Sequence, residues 1–178
     1  MRGALDSTMR LFFALWPPRE AAESLYEWAL RAQRAAGGRA VRSDAIHLTL
    51  AFLGEQTEAR AGLAAAAAGK VEFFAHRLAV EQAVFWRRNG IVWVGPRELP
   101  AALAGLAAGL NRALGDAGFA LEKRAFAAHV TLLRKARDGD LPPLPEVDWP
   151  VTEFLLMRSV LSSAGASYSQ LARVCCTA

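Results

Sequence analysis

The chain has 178 residues, 53% of them hydrophobic, and 21 Lys and Arg against 17 Asp and Glu give a formal charge of +4. That size and apolar content fit one domain, or two small lobes sharing a core, and exclude a disordered chain. The mild positive charge suits an anionic partner but does not identify a nucleic-acid binder, since a solvated surface accounts for it equally well.

Residues 1–8 are polar and read as a leader or an alternative start, with a single bilobal domain over 9–178. Arg10 to Trp16 is a strand-like run. Its apolar part, Leu11 to Trp16, stops at Pro17-Pro18, too short for a signal-peptide core or a membrane span, and no later stretch spans a membrane. The two prolines open a helix, where the first N–H groups lack helical partners in any case. Leu25, Trp28, Ala29, Ala32 and Ala36 give it an apolar face that ends at Gly37-Gly38. Ile46 to Leu53 reads as a second strand closed by Gly54, and Thr57 to Lys70 as an Ala-rich helix capped by Thr57.

Leu78 to Trp86 and Ile91 to Val94 flank Arg87-Arg88-Asn89-Gly90, and Asn-Gly is a strong hairpin signal because both residues tolerate positive φ. Leu99, Leu103, Leu106, Leu110 and Leu114 mark a third helix over Glu98 to Ala117. Phe126 to Leu133 is a further strand. Pro142, Pro143, Pro145 and Pro150 mark a surface loop. Val151 to Val160 and Tyr168 to Cys175 are two final strands around Ser162-Ser163-Ala164-Gly165. The adjacent Cys175 and Cys176 point to opposite strand faces, so they are poor disulfide partners and lack zinc spacing. They fit a reducing compartment, and a cytoplasmic enzyme is the simplest expectation. The whole order predicts an α+β fold with mainly antiparallel sheets flanked by helices.

Two tetrapeptides stand out: His47-Leu48-Thr49-Leu50 and His129-Val130-Thr131-Leu132. Two of the three histidines open a His-x-Thr-apolar unit. On a strand, residues i and i+2 share a face, so each unit sets an imidazole beside a hydroxyl. Either unit alone reads as a half-buried strand histidine bonded to backbone; the pair points to a site. The recurrence suggests two pseudo-symmetric lobes, each giving one such strand to a central cleft. His76 reads as a surface or strand-start residue.

Imidazole titrates near ~6.5, so one histidine can be neutral while its partner is protonated. The pair can serve as general base and general acid, and the hydroxyls can hold the oxygens of a phosphate. This chemistry needs no nucleophilic Ser or Cys, and no cofactor or metal is expected. Gly62 and Gly69-Lys70 have the wrong spacing for a phosphate loop, and Val71 stands where Ser or Thr is needed. A zinc site from His47 and His129 would need at least a third ligand, and nothing in the sequence places His76, the remaining histidine, nearby.

The chain resembles the two-histidine phosphoesterases, in particular the RNA 2′,3′-cyclic phosphodiesterases of 2′-5′ RNA ligase-like type. The similarity runs through Arg10 to Leu15, His47 to Gly54, Val92 to Leu99, His129 to Arg134, and Arg158-Ser159 with Gly165 and Tyr168. The resemblance implies a bilobal fold and metal-independent hydrolysis of an RNA 2′,3′-cyclic phosphate to a 2′-phosphomonoester, with 2′-5′ ligation as the reverse. It implies His47 as proton donor, His129 as proton acceptor, and Thr49, Thr131 and Arg134 as phosphate-binding residues. The implied partner is an RNA with a cyclic-phosphate end, with no membrane, and the protein is expected to be a monomer. The alternatives are a phosphodiesterase for small cyclic nucleotides or 2′-5′ oligoadenylates, and a non-catalytic RNA-end binding module. The chain departs from the family pattern at Ala40 to Ile46 and at Ala128, where prolines are common; these positions bear on loop shape and base contacts.

Overall fold

The computed structural model describes residues 8–162 and 165–177. Alternation along β1 (Met9–Leu15) defines two faces. Leu11, Phe13 and Leu15 enter the main core, while Phe12 and Ala14 join a smaller cluster with Leu155 and Met157. Period-two patterning thus sends one set of side chains to each side of the sheet.

The main sheet runs β10–β9–β1–β3–β7–β6–β5, with β2 also on β7. Its strands are β2 (Arg39–Ala40), β3 (Leu48–Gln56), β5 (Gln82–Trp86), β6 (Ile91–Gly95), β7 (Val130–Arg134), β9 (Glu153–Ser162), β10 (Gly165–Cys175) and β1. Each neighbouring pair in it is antiparallel. A second, two-stranded sheet pairs β4 (His76–Arg77) with β8 (Pro150–Val151). The two halves of the main sheet meet between β3 and β7, where the ladder has one residue pair, Leu48 with Val130. That narrow junction makes the fold two-lobed.

Three helices close the main core: α1 (Arg19–Ala36), α2 (Glu58–Ala68) and α3 (Ala101–Asp116). Leu25 and Trp28 of α1, Ala64 and Ala68 of α2, and Leu103, Leu106 and Leu110 of α3 are buried in the same cluster as Leu48 and Val130. The helices therefore cover one face of the junction and leave the other to the polar residues of the motifs. Thr57 caps α2 by accepting from the backbone N–H of Arg60.

Several boundaries differ from expectation. Gly54 does not close its strand. Leu11 pairs with Gly54 and Phe12 with Phe52, so Leu53 is extra, and Gly54 at φ 68° supplies the bulge that lets the strand continue to Gln56. The third helix begins at Ala101 because Pro100 is an extended cap and biases Leu99 away from helix. Residues 126–129 are not laddered, since β7 pairs with β3 only at Val130. The proline loop is held against α1, with the Trp28 indole donating to the carbonyls of Pro142 and Pro143 at 3.1 and 3.0 Å. The short strand β2 and a 3₁₀ turn over Ser43–Ala45 carry no apolar period that would signal them. The expected leader, apart from Thr8, and Ser163-Ala164 of the last turn lie outside the described residues.

Candidate active site

Leu48 and Val130 are the middle residues of the two His-x-Thr units, and they face each other across the junction. Antiparallel register then sets His47 beside Thr131 and Thr49 beside His129. Leu48 and Val130 are fully buried on the helix side, while all four polar residues are half-buried on the opposite face. Ladder pairing begins one residue after each histidine.

The two imidazoles are held in the same way. Nδ1 of His47 lies 2.7 Å from the Ala45 carbonyl, and Nδ1 of His129 lies 2.9 Å from that of Ala127. A carbonyl only accepts, so Nδ1 carries the proton in each ring and Nε2 is left for chemistry. Each backbone acceptor lies two residues before its histidine, which repeats the local geometry in both lobes.

Aromatic rings wall each imidazole. Trp16 stacks on His47 at 4.9 Å between centroids and 10° between planes, Tyr168 meets it edge-on at 5.3 Å, and Phe12 lies at 5.1 Å. Trp86 packs on His129 at 4.9 Å, with Trp93 edge-on at 6.2 Å. These walls exclude water and disfavour the charged ring. Burial is the main reason that His47 is pushed down to about 4; the Ala45 hydrogen bond opposes the shift, and the positive charges of Arg134 and His129 add to it. His129 is also lowered, first by burial, then by Arg124 and Arg134, against the Ala127 hydrogen bond.

Arg134 thus acts on both histidines. A bulge explains its place: Trp93 pairs with Thr131 and Val92 with Leu133, so Leu132 is the extra residue. Leu133 is buried, and Arg134 returns to the face that carries Thr131. All five residues expected from the sequence, His47, Thr49, His129, Thr131 and Arg134, are therefore brought to one place. Sequence reasoning missed Trp16, Tyr168, Trp86, Trp93 and Arg124. Trp93 alone had a usable signal, because alternation in the 91–94 strand puts it on the face opposite Val92 and Val94; the others depend on long-range pairing.

Among the described residues, no group of three or more His, Cys, Asp or Glu side chains could hold a metal ion, and no helix is long and apolar enough to cross a membrane. A hollow of about 180 Å³ opens beside Thr49 and His129, lined also by Phe52, Trp86, Arg124 and Phe126.

Two half-sheets presenting equivalent histidine–threonine pairs on one cleft define a two-histidine phosphoesterase. Comparison with known proteins narrows the class: the chain belongs to the LigT-like phosphoesterase family, which matches residues 15–93 and again 94–168, each match holding one His-x-Thr unit. It is 34% identical to an RNA 2′,3′-cyclic phosphodiesterase of Escherichia coli over 95% of this chain and 97% of the relative. It is 32% identical to an enzyme of the same description from Thermus thermophilus over 92% of this chain and 88% of the relative. Its fold is similar to that of E. coli LigT in apo form, with a TM-score of 0.86, 34% identity, and coverage of 96% of this chain and 99% of that one. E. coli LigT complexed with 3′-AMP matches with a TM-score of 0.85, at 34% identity over 97% of this chain and all of that one.

Proposed function

We propose that the protein hydrolyses the 2′,3′-cyclic phosphate at an RNA 3′ end to a 2′-phosphomonoester, without a metal. The observation that carries this reading is the pair of histidines, each fixed through Nδ1 and each beside the other unit's threonine. In this reading Thr49, Thr131 and Arg134 hold the non-bridging oxygens by charge-assisted hydrogen bonds. Nε2 of His129 takes a proton from water as its oxygen attacks phosphorus. The P–O3′ bond breaks, and Nε2–H of His47 protonates the departing oxygen. The product has a 2′-phosphate and a free 3′-hydroxyl, and the two histidines exchange protons with solvent to reset. The same sequence forms a 2′-5′ linkage when a 5′-hydroxyl takes the place of water, and its reverse, attack of the 3′-hydroxyl on that linkage, returns the cyclic phosphate; substrate levels set the direction, because a catalyst lowers both barriers.

In the unliganded protein His47 is neutral at pH 7, since its value is about 4. The donor role requires the bound phosphate to raise it. The anion neutralises Arg134, which lowers His47 in the free protein, and attracts the imidazolium directly. The descriptions of the relatives support the RNA substrate. The reading includes a monomeric enzyme of the cytoplasm, where the free thiols of Cys175 and Cys176 suit a reducing compartment.

The test is incubation of a defined RNA bearing a 2′,3′-cyclic phosphate with the protein in EDTA, followed by end-group analysis. A 2′-phosphate end is expected. A 3′-phosphate product, or an unchanged cyclic end, overturns the proposal.

A further inference from the structure

The hollow beside His129 does not end at the reacting centre. It shares Trp86 and Arg124 with a wider groove of about 850 Å³ that is lined by Phe85, Arg87, Arg88 and Asn89 as well. Three cations therefore border the outer groove. The hairpin tip that supplies two of them is anchored. Arg87 is ion-paired with Asp138, and the Ala136 N–H donates to the Gly90 carbonyl at 2.8 Å. Gly90 adopts φ 63°, and a Cβ there would lie 3.0 Å from the Ala136 carbonyl oxygen, so a side chain at this position would strain the fit of the tip against Ala136.

The three arginines differ in availability. Arg87 is committed to Asp138, and Arg124 is paired with Glu122 at 3.0 Å on an exposed surface. Arg88 is exposed and makes no ion pair or side-chain hydrogen bond among the described residues. An anchored loop that presents an uncommitted guanidinium beside an indole is suited to one phosphate and one base, through charge and stacking.

We propose that this groove is a second subsite, in which Arg88, with Arg124 and Trp86, binds the nucleotide immediately upstream of the cyclic-phosphate nucleoside. The inference rests on the cyclic phosphodiesterase reading. Arg88 takes the phosphodiester between the last two nucleosides, and Trp86 offers the face turned to the groove to the upstream base. The subsite makes the enzyme prefer a strand end to a free cyclic mononucleotide, and it lies entirely on the lobe that carries His129.

The experiment compares kcat and KM for adenosine 2′,3′-cyclic phosphate, the dinucleotide ApA ending in the same cyclic phosphate, and that dinucleotide with an uncharged methylphosphonate linkage. The unsubstituted protein should favour the charged dinucleotide by at least about tenfold in kcat/KM, mainly through KM, a range consistent with one charged contact. Log kcat/KM for it should also fall more steeply with log salt, by about 0.7 for one further phosphate contact on a single strand. The methylphosphonate and the substitution Arg88→Ala should each remove most of that preference, and Arg88→Lys should restore part of it. Equal kcat/KM for mononucleotide and dinucleotide, with both hydrolysed, overturns the subsite and leaves the phosphodiesterase reading standing. Loss of the same factor on both substrates in Arg88→Ala overturns the subsite as well. Hydrolysis of neither substrate by the unsubstituted protein overturns both readings.

Discussion

Leu48 lies opposite Val130, and each is the middle residue of its own His-x-Thr unit. The axis that relates the two lobes therefore passes between the two motifs. Whatever one unit presents to the cleft, the other presents in reverse order, so an anion centred there meets a histidine and a threonine from each side. Placing the junction at a single residue pair lets the half-sheets diverge beyond it, and the divergence makes room for a ligand. The walls are not equivalent: His47 has Phe12, Trp16 and Tyr168, while His129 has two tryptophans and the neighbouring Arg124. Equivalent backbones in unequal surroundings are what a reaction needs when one imidazole must lose a proton as the other gains one.

Removing either imidazole should cost most of the activity. His47→Ala and His129→Ala are each expected to lower kcat on a cyclic-phosphate RNA by roughly 10²–10⁴. The double substitution should cost little more than the worse single one, because groups acting as a unit are not additive. Single-turnover rates of the four proteins check this, and a single variant with full activity contradicts the pairing.

The hydroxyls have a lesser part. Thr49→Val and Thr131→Val keep shape and remove one hydrogen bond to an anion, worth about 1.5–3 kcal/mol. Each should reduce kcat/KM by about one to two orders of magnitude. The measurement is kcat/KM beside a thermal melt, so that lost binding is separated from lost fold.

Much of this was legible because the motif is local. His47 and Thr49 lie two residues apart, and strand alternation alone puts them together; the same holds for His129 and Thr131. Helix α1 was legible from its apolar spacing between Pro18 and Gly37. Arg134 followed from the family resemblance, although alternation by itself would have turned it to the core side; the bulge at Leu132 reverses that. Trp16 and Tyr168 escaped because they meet His47 through long-range pairings, Trp16 through that of β1 with β3 and Tyr168 through those of β1 with β9 and of β9 with β10, which no local pattern encodes. The loop before His129 reads as strand because its residues are apolar, yet a strand exists only where a partner runs alongside.

Burial of His47 links stability to pH. Its folded value, about 4, lies below the ordinary 6.5. The unfolded chain therefore binds more protons between those values, and stability falls as pH drops through that window. The full effect is ~3 kcal/mol below pH 4, and roughly 2 kcal/mol of it is lost between pH 7 and pH 5. Urea unfolding at those two pH values checks this. His47→Gln should show a smaller difference than the unsubstituted protein, and an equal difference would mean that other groups carry the linkage.

Chelators should leave the activity intact. Two histidines supply both proton transfers in the proposed reaction, so neither a Lewis acid nor a metal-bound water is needed. Rates on cyclic-phosphate RNA should agree with and without EDTA. Inhibition by EDTA that is reversed by one divalent ion would assign water activation to a metal.

The pH dependence of catalysis should differ between free enzyme and complex. The profile of kcat/KM reports the free enzyme, where burial and Arg134 hold both histidines down, His47 to about 4. The acid must be protonated and the base neutral, so kcat/KM should be bell-shaped, with limbs that belong to the coupled pair. Both limbs should lie on the acid side of an ordinary imidazole. Binding of an anionic phosphodiester raises both histidines, because it neutralises Arg134 and stabilises the imidazolium. The limbs of kcat should therefore sit at higher pH than those of kcat/KM. Arg134→Gln removes the cation that lowers both rings, so its kcat/KM limbs should move up and its gap between the two profiles should narrow. Steady-state profiles from about pH 4 to 9 for both proteins measure this. Superimposable kcat and kcat/KM profiles in the unsubstituted protein would mean that the bound phosphate does not reach the imidazoles, and the roles given to His47 and His129 would fall with that contact.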